Sequence, residues 1–171
     1  MKTSIVLVMH GVPPSDYPRR EIAEFMALHS RLEHGGFPPH ERAAAEARFA
    51  EMDGRIRAWP RHAENDRFFV ASHELAEELS KATGCMVVLG FNEFCAPAVP
   101  AALDCAAADV ERVVVITPML TPGGEHAEVE IPEQVEDARR RHPGVEFSYI
   151  WPYAMSDVAA FLSERIRASV G

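Results

Sequence analysis

The stretches that decide the fold are SIVLVMHG at residues 4–11 and VVVITPMLTPGGEH at residues 113–126. Each contains a short run of aliphatic and β-branched residues that is followed by a histidine, His10 in the first and His126 in the second. Such runs are typical of strands that are buried on both faces of a parallel sheet. Because α/β proteins bind ligands at the carboxyl ends of these strands, the two histidines are candidates for one shared site.

The alternation of strand-like and helix-like segments along the chain predicts an α/β fold. Strands are expected at residues 4–9, 85–90, 112–117 and 145–150, with amphipathic helical patterns between them and after the last one. Such an alternation indicates a parallel sheet with right-handed crossovers. We expect the strand order 2-1-3-4, in which strands one and three are neighbours, and a single domain over residues 1–171.

The connection between the first two strands is unusually long. Residues 13–84 contain three helical patterns, whereas a simple crossover needs one. We interpret this segment as a helical insertion that covers or borders the site rather than as a separate domain, because its apolar stripes need a surface to pack against.

Composition and absent motifs exclude several classes of protein. The net charge of −9 argues against nucleic-acid binding, which needs a basic face. No apolar run is long enough for a signal-peptide core or a membrane span, so we expect a cytoplasmic protein without a membrane partner. The sequence lacks GxGxxG, a Walker loop and GxSxG, which dinucleotide-binding, ATP-binding and serine-hydrolase sites require.

Further charged residues are candidates for the same sheet edge. Glu93 follows the second strand and could bind a cation or accept protons. Glu130 could guide a cation or hydrogen bond to a metal ligand, although acids are also common near helix N-termini. Arg19 and Arg20 are the basic pair nearest to His10 in sequence, and we consider them as rim residues for anionic substrate groups. Each of these residues, taken singly, is more typical of a solvated surface position or of a helix N-terminus.

With these segments in place, the sequence resembles the small class II chelatases, the sirohydrochlorin cobaltochelatase and ferrochelatase family of cobalamin and siroheme synthesis. The similar segments are LVMHG at 7–11, FNEFCAP at 91–97, PAAL at 100–103, RVVVITPML at 112–120 and GGEHAEVEIP at 123–132. The resemblance implies a chelatase-like three-layer fold and ATP-independent insertion of a divalent metal into a tetrapyrrole.

The resemblance also assigns roles to individual residues. It implies that His10 and His126 bind the metal, that Glu93 matches the acid of a Glu-x-x-x-Pro element, and that Glu130 matches the acid before Ile-Pro. Ala96 stands where many members carry a second acid. The metal substrate would be Co²⁺ or Fe²⁺, with Ni²⁺ compatible with the same ligands, and no further cofactor is implied. A homodimer is expected because larger relatives contain two such modules.

Two other functions remain open at this point. The first is a non-catalytic metal or tetrapyrrole carrier on the same fold. The second is a small hydrolase or transferase that uses His10 as a base, which should tolerate the loss of His126.

Overall fold

The computed structural model, described over residues 2–170, is built on a four-stranded sheet in which every strand pair is parallel. Its strands are β1 (Thr3–Met9), β2 (Met86–Phe91), β3 (Arg112–Ile116) and β4 (Glu146–Ile150). They lie in the order β2-β1-β3-β4. The expected order and fold class are therefore confirmed, and the carboxyl ends of β1, β2 and β3 meet at one edge.

Six α-helices lie between and after the strands over the described residues. They are α1 (Arg19–Glu33), α2 (Pro39–Arg57), α3 (Arg67–Thr83), α4 (Val99–Ala106), α5 (Ile131–Arg141) and α6 (Met155–Val170). Asp66 caps α3, since its side chain accepts a hydrogen bond from the backbone N–H of Phe69 at 2.8 Å. No helix within residues 2–170 combines the length and the apolar character needed to cross a membrane.

Helices cover the two faces of the sheet unequally. On one face α4 and α5 pack on β1 and β3 around Val6, Val8 and Leu103. On the other face α3 packs against the β1 and β2 residues Leu7 and Phe91. The central strand β1 is buried from its second residue to its last, which places its carboxyl end firmly in the core.

Strand β3 differs from the expectation that it is covered on both faces. Its burial alternates, with Val113 and Val115 fully buried and Arg112, Val114 and Ile116 only partly so. Helix α6 contributes no buried residue. Its apolar stripe, predicted from the sequence, is present but exposed, with Phe161, Leu162 and Ile166 among the exposed large apolar side chains.

The helical insertion packs on the loop that follows β2. Tyr17, Phe25 of α1 and the α2 residues Met52 and Ile56 form a buried cluster around Phe94. Phe94 belongs to the loop that carries Glu93. The first two helices of the insertion therefore lie beside the sheet edge where the candidate residues meet.

Candidate metal centre

Three of the residues singled out from the sequence come together at the carboxyl edge of the sheet. One donor atom each of His10, Glu93 and His126 lies within 4.8 Å of the others, and this is the one such group of His, Cys, Asp and Glu found in residues 2–170. Glu93 Oε2 lies 3.5 Å from His10 Nδ1 and 3.7 Å from His126 Nε2. The two imidazole rings meet edge to face at a centroid distance of 4.7 Å.

The loops after β1 and β2 continue the pairing of those strands, and this fixes Glu93 relative to His10. The N–H of Asn92 donates to the carbonyl of Met9 at 3.0 Å, and the N–H of Glu93 donates to the carbonyl of His10 at 2.9 Å. The metal-binding candidates are therefore held by backbone hydrogen bonds that extend the parallel ladder beyond the strand ends.

Gly11 allows the two loops to approach this closely. Its φ is +94°, and a Cβ atom at this position would lie 1.9 Å from the carbonyl oxygen of Glu93. Any side chain at residue 11 would push the loops apart, in a backbone region that L-residues rarely adopt. The glycine after His10 is thus a structural requirement of the His10–Glu93 pair.

His126 begins a π-helical segment, His126–Glu130, that runs into α5. The N–H of Ile131 donates to the carbonyl of His126, five residues earlier. Pro132 has no N–H for the next bond of this kind, and the carbonyl of Ala127 accepts instead from the Tyr149 hydroxyl at 3.1 Å. Pro132 lies in the first turn of α5, where a proline leaves room for helical residues before it.

Glu130 lies one turn after His126 and hydrogen bonds to it. The distance from His126 Nδ1 to Glu130 Oε2 is 2.7 Å. Since a carboxylate only accepts, Nδ1 carries the proton and Nε2 keeps a lone pair directed toward the other ligands. This is the arrangement in which metal-binding histidines are usually oriented.

The same hydrogen bond shifts the protonation of both partners. It raises the pKa of His126 above its usual value, with added support from the negative charge of Glu93. It also lowers the pKa of Glu130. Protons therefore compete with a metal ion for His126 more strongly than they would for an isolated histidine.

The cluster is open to solvent on the His10 side. The His10 side chain is 48% exposed, against 18% for Glu93 and 21% for His126. The carbonyl of Gly11 lies 2.8 Å from His10 Nδ1, the same ring nitrogen that faces Glu93, and the tautomer decides which nitrogen of His10 is the metal ligand. A ligand can approach the cluster from this side without rearrangement of the other two residues.

The cluster also borders a cavity of about 180 Å³ between the helical insertion and the sheet edge. The cavity is lined by Phe25, His29, Phe49, Asp53, Arg57, Asn92, Glu93, His126 and Glu130. Both polar side-chain atoms of Asn92 are buried and have no hydrogen-bond partner within the described chain.

The sequence did not indicate which residues of the insertion line this cavity. His29 of α1 is one of them, and it stacks on Phe49 at a centroid distance of 5.3 Å. The amphipathic stripe of α1 allowed either residue 28 or 29 on its inner face, and nothing local decides between them. Arg19 and Arg20 are exposed in the first turn of α1 and do not line the cavity, so their role at a substrate rim stays a prediction.

Comparison with known proteins places these residues in a family. The family model described as CbiX matches residues 62–169, more than half of the chain, a range that contains Glu93, His126 and Glu130 but not His10. The sirohydrochlorin cobaltochelatase of Priestia megaterium is 33% identical over 107 residues. That match covers 61% of this chain but only 33% of the relative, so the chain spans about a third of the curated protein it matches.

One solved structure supports the fold. A cobalamin (vitamin B12) biosynthesis CbiX protein from Marinobacter aquaeolei VT8 superposes with a TM-score of 0.55 at 15% identity, covering 98% of this chain and 97% of that one. The sirohydrochlorin chelatase SirB from Bacillus subtilis subspecies spizizenii, solved with cobalt, gives a TM-score of 0.44 at 18% identity and covers 89% of this chain and 44% of its own. On the match of the family model, this chain belongs to the CbiX family.

Proposed function

We propose that this chain inserts a divalent metal ion, Co²⁺ or Fe²⁺, into a tetrapyrrole such as sirohydrochlorin, without ATP. The observation that carries the proposal is the convergence of His10, Glu93 and His126 within 4.8 Å at the sheet edge. Membership of the CbiX family and the name of the Priestia megaterium relative support this choice of reaction.

The donor set suits a metal that must be bound and then released. Imidazole and carboxylate ligands accept Co²⁺, Fe²⁺ and Ni²⁺, and they hold these ions less permanently than a cage of thiolates would. Glu130 keeps His126 Nε2 directed at the ion, since it accepts the proton of Nδ1. In this proposal the ion is a substrate, and the protein needs no other cofactor.

Insertion exchanges one divalent ion for the two protons of the pyrrole N–H groups. We assign proton acceptance to Glu93 and to the histidine that is freed as the metal leaves. The cavity of about 180 Å³ is smaller than the space that drug-sized ligands usually occupy, so it is too small for a macrocycle. The tetrapyrrole would therefore approach from the open side at His10, with the ion between it and Glu93.

We further propose that two copies of the chain associate. The support is the apolar stripe of α6, in which Phe161, Leu162 and Ile166 are exposed. Contiguous apolar patches on a protein surface are typical of sites at which another protein chain binds. A Phe161→Glu variant should shift the protein from dimer to monomer in analytical ultracentrifugation, and a wild-type protein that is monomeric at high concentration would contradict the proposal.

A metal or tetrapyrrole carrier is the second candidate. Ala96 favours it, because an alanine at the position of a family acid leaves fewer proton acceptors near the site. A carrier would bind metal or macrocycle stoichiometrically without accelerating insertion. An enzyme that uses His10 alone as a base is distinguished by its tolerance of His126→Ala.

The test is an anaerobic activity matrix on the purified protein. Co²⁺, Fe²⁺ and Ni²⁺ are each combined with sirohydrochlorin, and insertion is followed by the change in visible absorption of the macrocycle. We expect His10→Ala and His126→Ala each to abolish insertion, whereas His40→Ala, at an exposed position remote in sequence, should leave it unchanged. Insertion at the wild-type rate by the His10→Ala/His126→Ala double variant would show that the site assignment is wrong.

A further inference from the structure

We infer that Arg57, at the end of α2 in the helical insertion, positions Glu93 for metal binding, an inference that rests on the proposed function for the role of Glu93. Arg57 is a positioning residue because it acts on the backbone around Glu93. The helical insertion would then orient a metal ligand in addition to bordering the site.

The guanidinium group of Arg57 holds the loop that follows β2 at three carbonyls. Nη1 donates to the carbonyls of Phe91 and Cys95 at 3.2 and 2.5 Å. Nη2 donates to the carbonyl of Asn92 at 2.7 Å. These acceptors lie on both sides of Glu93, so the arginine fixes the two ends of the turn from which the Glu93 side chain extends.

These contacts leave Arg57 little capacity for an anionic ligand. A guanidinium group has five N–H donors. Three are used by the loop carbonyls, and Nε donates to Asp53 at 2.7 Å. Asp53 lies one turn earlier on α2 and orients the guanidinium plane toward the loop. Although Arg57 lines the cavity, its hydrogen bonds are committed to the protein.

The turn itself needs external support because its backbone is strained. Phe94 has a φ of +57°, a region that bulky L-residues rarely adopt. The N–H of Cys95 also reaches back to the carbonyl of Glu93 at 2.6 Å, which makes the turn tight. A strained conformation persists only where its surroundings determine it, and Arg57 supplies hydrogen bonds that do so.

A second arginine of the insertion supports the same loop in a different way. Arg61 donates to the carbonyl of Val12 at 2.7 Å and to that of Phe94, which links the loops after β1 and β2. Arg61 is also ion-paired with Asp66, and both side chains are almost fully buried. Removing Arg61 would therefore leave a buried carboxylate unpaired and disturb the whole fold. Arg57 is partly exposed and is the cleaner position for a test.

The experiment is a double-mutant cycle on Co²⁺ binding. Affinity is measured by isothermal titration for the wild type, Arg57→Met, Glu93→Gln and the Arg57→Met/Glu93→Gln double variant. Arg55→Met is the matched control, because Arg55 lies on the same helix, is exposed and pairs with Glu21 away from the loop. The visible spectrum of bound Co²⁺ is recorded for each variant as a measure of coordination geometry.

We expect Arg57→Met to weaken Co²⁺ binding about 10- to 100-fold, the usual cost of losing a residue that supports a metal ligand. In the Glu93→Gln background the same substitution should cost less than about threefold, because the ligand that Arg57 positions is already lost. The Co²⁺ spectrum of Arg57→Met should approach that of Glu93→Gln, and Arg55→Met should match the wild type. An equal loss in both backgrounds, or no loss in either, would overturn the inference.

Amide hydrogen exchange and a second substitution test the role of Arg57 separately from the proposed function. Amide hydrogen exchange should speed up at residues 92–95 in Arg57→Met but stay unchanged in β1, which tests the positioning without any metal. If Arg57→Met does not fold, Arg57→Lys keeps the charge but replaces the planar fork, and it should give a smaller loss in the same cycle. Failure of the wild type to bind Co²⁺ would count against the proposed function, whereas unchanged exchange at residues 92–95 would count against the role of Arg57.

Discussion

The two sides of the metal centre are held in different ways. On the side of His10 and Glu93, two loops pair through backbone hydrogen bonds, meet at Gly11 and are fixed from outside by Arg57. On the side of His126, a π-helical segment continues into α5 and is held by hydrogen bonds of single side chains. Glu130 binds the imidazole, and the Tyr149 hydroxyl binds the carbonyl of Ala127.

This difference predicts how each side of the metal centre responds to substitution. The His10–Glu93 side has little room to move, since the backbones of its loops are in direct contact. The His126 side depends on individual hydrogen bonds, each of which can be removed without a steric clash. We therefore expect the first side to be intolerant of added volume and the second to respond to the loss of single polar groups.

The largest effect should come from Gly11→Ala. The new Cβ would lie 1.9 Å from the Glu93 carbonyl oxygen at a φ of +94°, so the loops must separate. We expect a loss of unfolding free energy of about 3 kcal/mol, from backbone strain and overpacking together. Co²⁺ affinity should also fall by roughly 100-fold or more, as an oriented ligand pair is disrupted. Urea denaturation and calorimetric titration measure the two quantities.

The matched control for this substitution lies on the other side of the site. At Gly124, before His126, an added Cβ meets no atom within 4 Å, and the φ is not in the left-handed region. Gly124→Ala should change the unfolding free energy by less than about 1 kcal/mol. Equal effects of the two substitutions would contradict the proposed contrast between the two sides.

A smaller effect is expected from Glu130→Gln. The substitution removes the carboxylate that fixes the His126 tautomer, so Co²⁺ affinity at neutral pH should drop about 10-fold, at the low end of the range for such partners. Asp104→Asn, which alters an exposed acid that pairs with His142 and Arg141, is a control that should leave Co²⁺ binding unchanged.

The pH dependence of Co²⁺ binding should also change in Glu130→Gln, in a direction that follows from the pKa of His126. A proton on His126 excludes the metal, and Glu130 raises the pKa of His126, so wild-type affinity should fall as the pH drops through that raised value. In Glu130→Gln the pKa of His126 returns toward its usual value, and the midpoint of the loss should move to lower pH. Titrations between about pH 5 and 8 span the range in which histidine changes charge. A midpoint that stays in place or moves upward would contradict the role of Glu130.

The smallest effect should come from Tyr149→Phe. It removes the hydroxyl that satisfies the carbonyl of Ala127, where Pro132 has no N–H to offer. A loss of about 1 kcal/mol in unfolding free energy is expected, the usual net value of one hydrogen bond. Co²⁺ affinity should change by less than about threefold, since His126 keeps its bond to Glu130. Urea denaturation measures the loss of unfolding free energy. A loss of Co²⁺ affinity as large as that of Glu130→Gln would contradict the prediction for metal binding.

The sheet and the three-residue cluster could be predicted from the sequence because each depends on local patterns. The aliphatic runs of β1 and β3 predict buried strands, and the usual topology of α/β sheets predicts their order, which brings the polar residues after the strands to one edge. Glu130 was indicated by the resemblance, as the acid before Ile-Pro. These predictions needed no knowledge of which helix packs where.

The remaining features depend on contacts between residues that are distant in sequence. The support of the Glu93 turn by Arg57 joins α2 to the loop after β2, and no pattern around either residue indicates it. In the π-helical segment the carbonyl of Ala127 accepts a hydrogen bond from Tyr149, which lies on β4. The exposure of the α6 stripe could not be foreseen either, because an amphipathic pattern shows that a face is apolar but not whether the chain itself covers it.

The central claim is that His10, Glu93 and His126 bind one divalent ion together. Anomalous diffraction from crystals grown with Co²⁺ tests it most directly. We predict one strong peak per chain, about 2.1 Å from an imidazole nitrogen of each histidine and at a similar distance from a Glu93 carboxylate oxygen, close to the ligand distances of comparable metals. A principal peak elsewhere, or a peak at this position that persists in the His10→Ala/His126→Ala double variant, would contradict the account.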